Sequence, residues 1–215
     1  MKTTITTKCY FCNAPATSDE HIPPKCLFPE KKDLSDGLDY RKNLITVRSC
    51  DDHNSEKSKE DEYLRLILVH GYFNNKASQD HFNSKIVRAI IRRPAMYVTL
   101  NKTQIPVIVD NDLTVSFDID RIRFENSLER IVQGLIVNKY GIGWTKPIEI
   151  HTPLLLATEQ SEADKINFLI TKLSRIVTHR LKNIQKCGAN PEIFWYQLLA
   201  DKEKDLLLCR LVFYG

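Results

Sequence analysis

Cys9 and Cys12 are separated by two residues, and Cys50 and His53 repeat that spacing later in the chain. No other feature constrains the fold as much. A two-residue gap lets a tight turn aim both side chains at one point. Two such knuckles supply four soft or borderline donors, the number a tetrahedral structural zinc takes. The stretch from Cys12 to Cys50 is far longer than the linker of a C2H2 finger, which argues against a DNA-reading finger. The plain alternative is a set of buried thiols beside a surface histidine, and the compartment bears on that choice. No run of about 18 apolar residues is present, so no membrane span is expected. The opening MKTTITTKCYFC lacks the apolar stretch of a signal peptide. A cytoplasmic location is therefore expected, where structural disulfides are rare and six cysteines point to metal ligation or packed thiols.

Of the 215 residues, 42% are hydrophobic and 27% charged, enough to bury a core without disulfides. A net charge of +4 permits a polyanionic partner without requiring one. Residues 8 to 58 hold four of the six cysteines and little helical periodicity. From Glu60 onward, the spacing of Tyr63, Leu64, Ile67 and Leu68 predicts a helix ending near Gly71. A second helix is expected after Ser78, burying Phe82, Ile86, Ala89 and Ile90 and stopped by Pro94. Met96–Leu100, Ile105–Val109 and Thr114–Ile119 read as a small antiparallel meander. Asp120 should cap a helix with Leu128, Ile131, Val132, Leu135 and Ile136 on one face, ending near Gly141. Ile148–Ile150 reads as a short strand. Ser161 and Asp164 resemble a capping box for a long helix closed by Gly188. Its stripe of Ile166, Leu169, Ile170, Leu173, Ile176, Val177, Leu181 and Ile184 is expected to serve the core. A hairpin of Phe194–Leu199 and Leu206–Tyr214 ends the chain, and the fold class is α+β.

The residues around the knuckles narrow the reading. Glu20-His21-Ile22-Pro23-Pro24 lies between them, followed by Asn43-Leu44, and Asn54 comes directly after the second knuckle with Lys57 three residues on. The ordered pattern C-x2-C, acidic-His-Ile-x-Pro, Asn-Leu, C-x2-[CH]-Asn-x2-Lys resembles the HNH endonuclease family. The likeness covers about residues 8 to 60. It implies an N-terminal ββα-metal (HNH) module at residues 1–75, with structural zinc on Cys9, Cys12, Cys50 and His53. A mixed helical and antiparallel-strand domain at 76–215 would follow. It also implies His21 as the general base that activates water, a role suited to a group titrating near neutrality. Glu20 and Asn54 would hold a catalytic Mg2+ or Mn2+, hard oxygen donors for a hard ion. Asn43 would steady the loop carrying the histidine. The implied reaction is hydrolysis of a phosphodiester in DNA, or alternatively RNA. Glu20 departs from the aspartate the family favours, and His53 from a cysteine. In a regular strand, moreover, Glu20 and His21 would point to opposite faces.

Other signals are weaker. Lys57, Arg92 and Arg93 are candidate phosphate contacts, against the plainer reading of solvated helix faces. Lys31, Lys32, Arg41 and Lys42 flank the long loop and could track a nucleic-acid backbone. Arg121 and Arg123 begin a helix, where the macrodipole disfavours cations. Cys26, Cys187 and Cys209 read as packed thiols, and His70, His81, His151 and His179 lack ligand spacing. Residues 76–215 could select substrate, form a homodimer or dock a regulatory protein. The competing class is a non-catalytic, zinc-stapled adaptor that binds nucleic acid or a protein partner. Such an adaptor has no use for Glu20, His21 and Asn54 together.

Overall fold

The computed structural model describes residues 7–12, 14–34, 37–55, 57–71, 73–92, 94–95, 98, 102–109, 111–152 and 160–215. Strands β1 (Ser18–Ile22) and β2 (Ile45–Ser49) pair antiparallel, with His21 opposite Thr46 and Glu20 opposite Val47. Strand alternation turns Glu20, Ile22, Val47 and Ser49 inward, leaving Asp19 and Thr46 exposed and His21 half-buried. Two single 3-10 turns, Lys25–Leu27 and Lys31–Asp33, occupy the connection.

Helices α1 (Asp51–Ser55) and α2 (Lys57–Val69) follow β2. Asp51 and Asp52 open α1, where acidic groups suit the positive end of the helix dipole. The sequence predicts one apolar stripe on α2, yet every residue from Tyr63 to Val69 is buried, Arg65 included. A helix covered all round runs through the body of the molecule, not along its surface.

Helix α3 (Lys76–His81) runs through one π-helical segment, Phe82–Ile86, into α4 (Val87–Arg92). It starts before Ser78 because Asn75 caps it, its Oδ1 accepting from the Ser78 N–H at 3.2 Å. Pro94 does not stop the helical path, for Pro94 and Ala95 are both helical. Proline's fixed φ of about −65° is itself a helical value. Val98 is helical too, and its carbonyl accepts from the Lys102 N–H at 3.1 Å, so the strand expected over 96–100 is not formed there. Met96, Tyr97, Thr99 and Leu100 lie outside the described residues. Among the described residues the expected meander is a two-stranded hairpin of β3 (Ile105–Val109) and β4 (Asp112–Ser116). Asn111 takes a left-handed φ of 71° in the turn, which starts β4 ahead of Thr114.

Helix α5 (Arg121–Tyr140) has the expected ends. The Asp120 side chain accepts from the Arg123 N–H at 3.1 Å, and Gly141 caps the other end at φ 69°. This helix lies across the inner face of β1 and β2. Gly134 permits the approach, since a Cβ there would sit 2.7 Å from Ile22 Cγ1. Ile148–Ile150 forms no strand.

Helix α6 (Gln160–Arg180) departs from expectation at both ends and along one face. Ser161 lies inside it, and Gly188 belongs to β5 (Cys187–Asn190). There Gly188 has φ 143°, and a Cβ would fall 2.5 Å from the Phe194 carbonyl oxygen, so strand packing fixes the glycine. Ile166, Leu169, Leu173 and Ile176, expected in the core, are exposed. Strands β5, β6 (Phe194–Asp201) and β7 (Leu206–Phe213) form an antiparallel sheet in that order.

The chain is therefore a mixed α+β protein with short antiparallel sheets. One buried cluster crosses residue 75, joining Ile22, Leu27 and Leu64 to Phe124, Ile131, Leu135 and Tyr214. Polar ties reinforce it: the Tyr214 hydroxyl donates to the Leu27 carbonyl and lies 3.1 Å from His81 Nδ1. Arg123 forks onto Glu60 at 2.7 and 3.0 Å while lying over the Tyr63 ring. Among the described residues, no helix is long and apolar enough to cross a membrane.

Candidate metal centre and the His21 face

The first knuckle is a tight turn closed by the Cys9 N–H to the Ala14 carbonyl at 2.7 Å. It docks on the end of β2 through Tyr10 N–H to Arg48 O at 3.0 Å and Thr17 N–H to Ser49 O at 2.9 Å. These bonds deliver Cys9 and Cys12 to the point where β2 gives way to α1. Cys50 immediately precedes α1 and His53 sits three residues on, a spacing that faces one side of a helix.

The donor atoms of Cys9, Cys12, Cys50 and His53 all lie within 4.8 Å of one another. Cys12 Sγ is 3.7 Å from Cys50 Sγ, and His53 Nδ1 is 3.1 Å from Cys50 Sγ and 3.8 Å from Cys9 Sγ. A disulfide would need about 2.05 Å. Bonds of roughly 2.3 Å to sulfur and 2.0 Å to nitrogen in a tetrahedron put donors about 3.5 to 3.8 Å apart. The four residues thus fit a structural metal such as zinc. Burial opposes ionisation of Cys9, but backbone N–H groups of Cys12, Phe11 and Cys50 outweigh it and bring the thiol down to about 6. A thiolate is the form a metal requires. Phe11 packs edge-on against the His53 ring, and Arg130 of α5 lies over Phe11.

His21 occupies the outer face of the same hairpin. Burial, then the charges of Lys25 and Arg41, lower its pKa, which favours the unprotonated imidazole. Glu20 points the other way. It is 4% exposed and accepts from the Tyr10 hydroxyl at 2.9 Å. Burial and the Glu20 carboxylate both push the Tyr10 phenol upward, which keeps it a donor. The fold thus brings the four knuckle residues together but puts Glu20 and His21 on opposite faces of β1.

Asn43 is exposed at a left-handed φ of 55°, in the turn that leads into β2. Asn54 lies in α1, which packs against β1, and Lys57 opens α2. Arg92 ends α4 and is exposed, while Arg93 lies outside the described residues. Arg41 binds the Phe28 carbonyl at 3.0 Å and Glu30 at 3.3 Å, and Lys32 also pairs with Glu30. Arg121 pairs with Glu125. Cys209 is a packed thiol that burial pushes up to about 12.

Two residues of the site carry no signature in the sequence. Tyr10 is hidden inside the knuckle, although an inward carboxylate on a strand calls for a donor. Lys25 follows His21 by four residues across Pro23-Pro24, and only the turn there brings its charge to bear. An open groove of about 690 Å³ lies at the end of α6, lined by Arg175, Ile176, His179, Arg180, Lys182 and Asn183. None of the knuckle residues borders it. No family model matches the chain, and comparison with curated proteins and with solved structures gives no match either.

Proposed function

We propose that this chain is a phosphodiester hydrolase of the HNH type, acting on DNA or RNA, with a zinc-stapled ββα module around residues 8 to 60. The observation that carries the reading is His21, half-buried on the outer face of a hairpin whose end gathers four residues able to hold a metal. The Lys25 and Arg41 charges act on that same imidazole. The chain order β1, β2, α1 agrees with such a module.

In this mechanism the unprotonated ring nitrogen of His21 takes a proton from water as its oxygen attacks phosphorus. The bond from phosphorus to the departing sugar oxygen then breaks. Lys25 and Arg41 draw the phosphate towards the imidazole. Zinc on Cys9, Cys12, Cys50 and His53 holds the hairpin and takes no part in the chemistry. The Mg2+ or Mn2+ expected on Glu20 and Asn54 would supply Lewis-acid stabilisation of the leaving oxygen, but Glu20 as placed does not fit that role. No step runs through Glu20, because its carboxylate is a buried acceptor for Tyr10 on the far side of β1.

That inward turn favours a second reading, a zinc-stapled adaptor that binds nucleic acid or a protein without cutting. Incubation with plasmid and single-stranded DNA, with Mg2+, Mn2+ or EDTA, separates the two. The nuclease reading expects metal-dependent nicking that falls at least about a hundredfold in His21→Ala, the scale of a lost general base. Zinc content in that variant should be unchanged. Full activity in His21→Ala would remove the histidine from the mechanism, and binding without cleavage by the wild type would favour the adaptor.

A further inference from the structure

Helix α6 carries an apolar seam that nothing among the described residues covers. Ile166, Leu169, Leu173 and Ile176 are 43, 57, 39 and 57% exposed. The helix already has a packed side, for Ile170 and Val177 are half-buried, Leu181 just beyond it is fully buried, and the helix rests on β7. The exposed seam is therefore a second apolar face, and its spacing is informative. Positions 162, 166, 169, 173, 176 and 180 alternate gaps of four and three residues, the rhythm of a coiled-coil seam.

The seam is also palindromic. Around the level of Thr171, Ile166 mirrors Ile176, Leu169 mirrors Leu173, and Glu162 mirrors Arg180. Two copies run antiparallel about a two-fold axis at that level would set each isoleucine against an isoleucine and each leucine against a leucine. Glu162 of each copy would meet Arg180 of the other. A parallel pair would instead set Glu162 against Glu162 and Arg180 against Arg180, which is repulsive at both ends. An unrelated partner would have no reason to match a seam that matches itself.

We propose that α6 is a homodimerisation helix, pairing antiparallel with α6 of a second copy in the register centred on Thr171. The contact is isologous, so it closes as a two-fold dimer and does not propagate. Each helix of 21 residues offers about 31 Å of seam. This inference does not depend on the role of His21.

Sedimentation equilibrium of the full chain tests it. The wild type should approach twice 24.9 kDa at roughly 100 µM and dissociate on dilution. Leu169→Glu and, separately, Ile166→Glu should each sediment as monomers with unchanged far-ultraviolet circular dichroism, since both side chains are exposed. Arg180→Glu should weaken the dimer about tenfold, two ion pairs having become two repulsions. The double swap Glu162→Arg with Arg180→Glu should return the affinity to near the wild-type value. A wild-type monomer at that concentration would overturn the proposal. So would a dimer indifferent to Leu169→Glu, or a double swap that fails to recover. Binding of a monomer to phosphatidylserine vesicles through this face would assign the seam to a membrane surface instead.

Discussion

The 3.7 Å between the sulfurs of Cys12 and Cys50 is too long for a bond and suits two ligands of one metal. That much was legible in the sequence, because two-residue knuckles restrict where their side chains can point whatever lies between them. The orientation of Glu20 was half legible. Period-two alternation puts adjacent strand residues on opposite faces, but which of Glu20 and His21 turns inward depends on α5, far along the chain. The Tyr10 hydroxyl makes the inward carboxylate tolerable. Tyr10→Phe should remove its donor at 2.9 Å and cost about 1 to 3 kcal/mol, read as a lower urea midpoint at pH 7. An unchanged midpoint would mean that other contacts satisfy Glu20.

At the scale of elements, ends written in local chemistry were readable. Asp120 and Gly141 bound α5 because a side-chain acceptor and a left-handed glycine act within one turn. Elements fixed by distant packing were not. Gly188 resembles a helix terminator in sequence, yet it is held by the Phe194 backbone of a neighbouring strand. The stripe on α6 announces a face that needs covering without saying that the other described residues leave it exposed. The junction of α5 with the hairpin gives a test. Gly134→Ala gains roughly 1 kcal/mol in helix propensity. Against that, its new methyl meets Ile22, which is 1% exposed and has no room to retreat. Overpacking of this kind costs about 1 to 3 kcal/mol, so the variant should melt lower. Ile22→Val in the same background should recover part of the loss in a double-mutant cycle. Purely additive effects would show that the two residues do not meet.

Across the whole molecule, the first and last parts of the chain share one interior, and His81 lies within it. Burial, with the charges of Arg65, Lys85 and Arg41, lowers its pKa from 6.5 to about 3, only partly offset by Glu30. Its Nδ1 faces Tyr214, and Nε2 finds no hydrogen-bond partner among the described residues for a second proton. Below pH 6.5 the unfolded chain binds a proton that the folded chain refuses. Stability from this group is thus complete above pH 6.5 and drains away as pH falls towards 3. Urea midpoints should drop between pH 7 and 5 in the wild type and drop less in His81→Gln, which is the less stable of the two at pH 7. Equal slopes would acquit His81. The claim on which the rest depends is that residues 9 to 53 are stapled by one metal, and the direct measurement is metal content by elemental mass spectrometry. The wild type should carry one zinc per chain, and Cys12→Ser should carry none and melt lower. Cys12 is exposed, so its substitution cannot act through packing. A metal-free wild type as stable as one supplied with zinc would mean that no metal staples these residues.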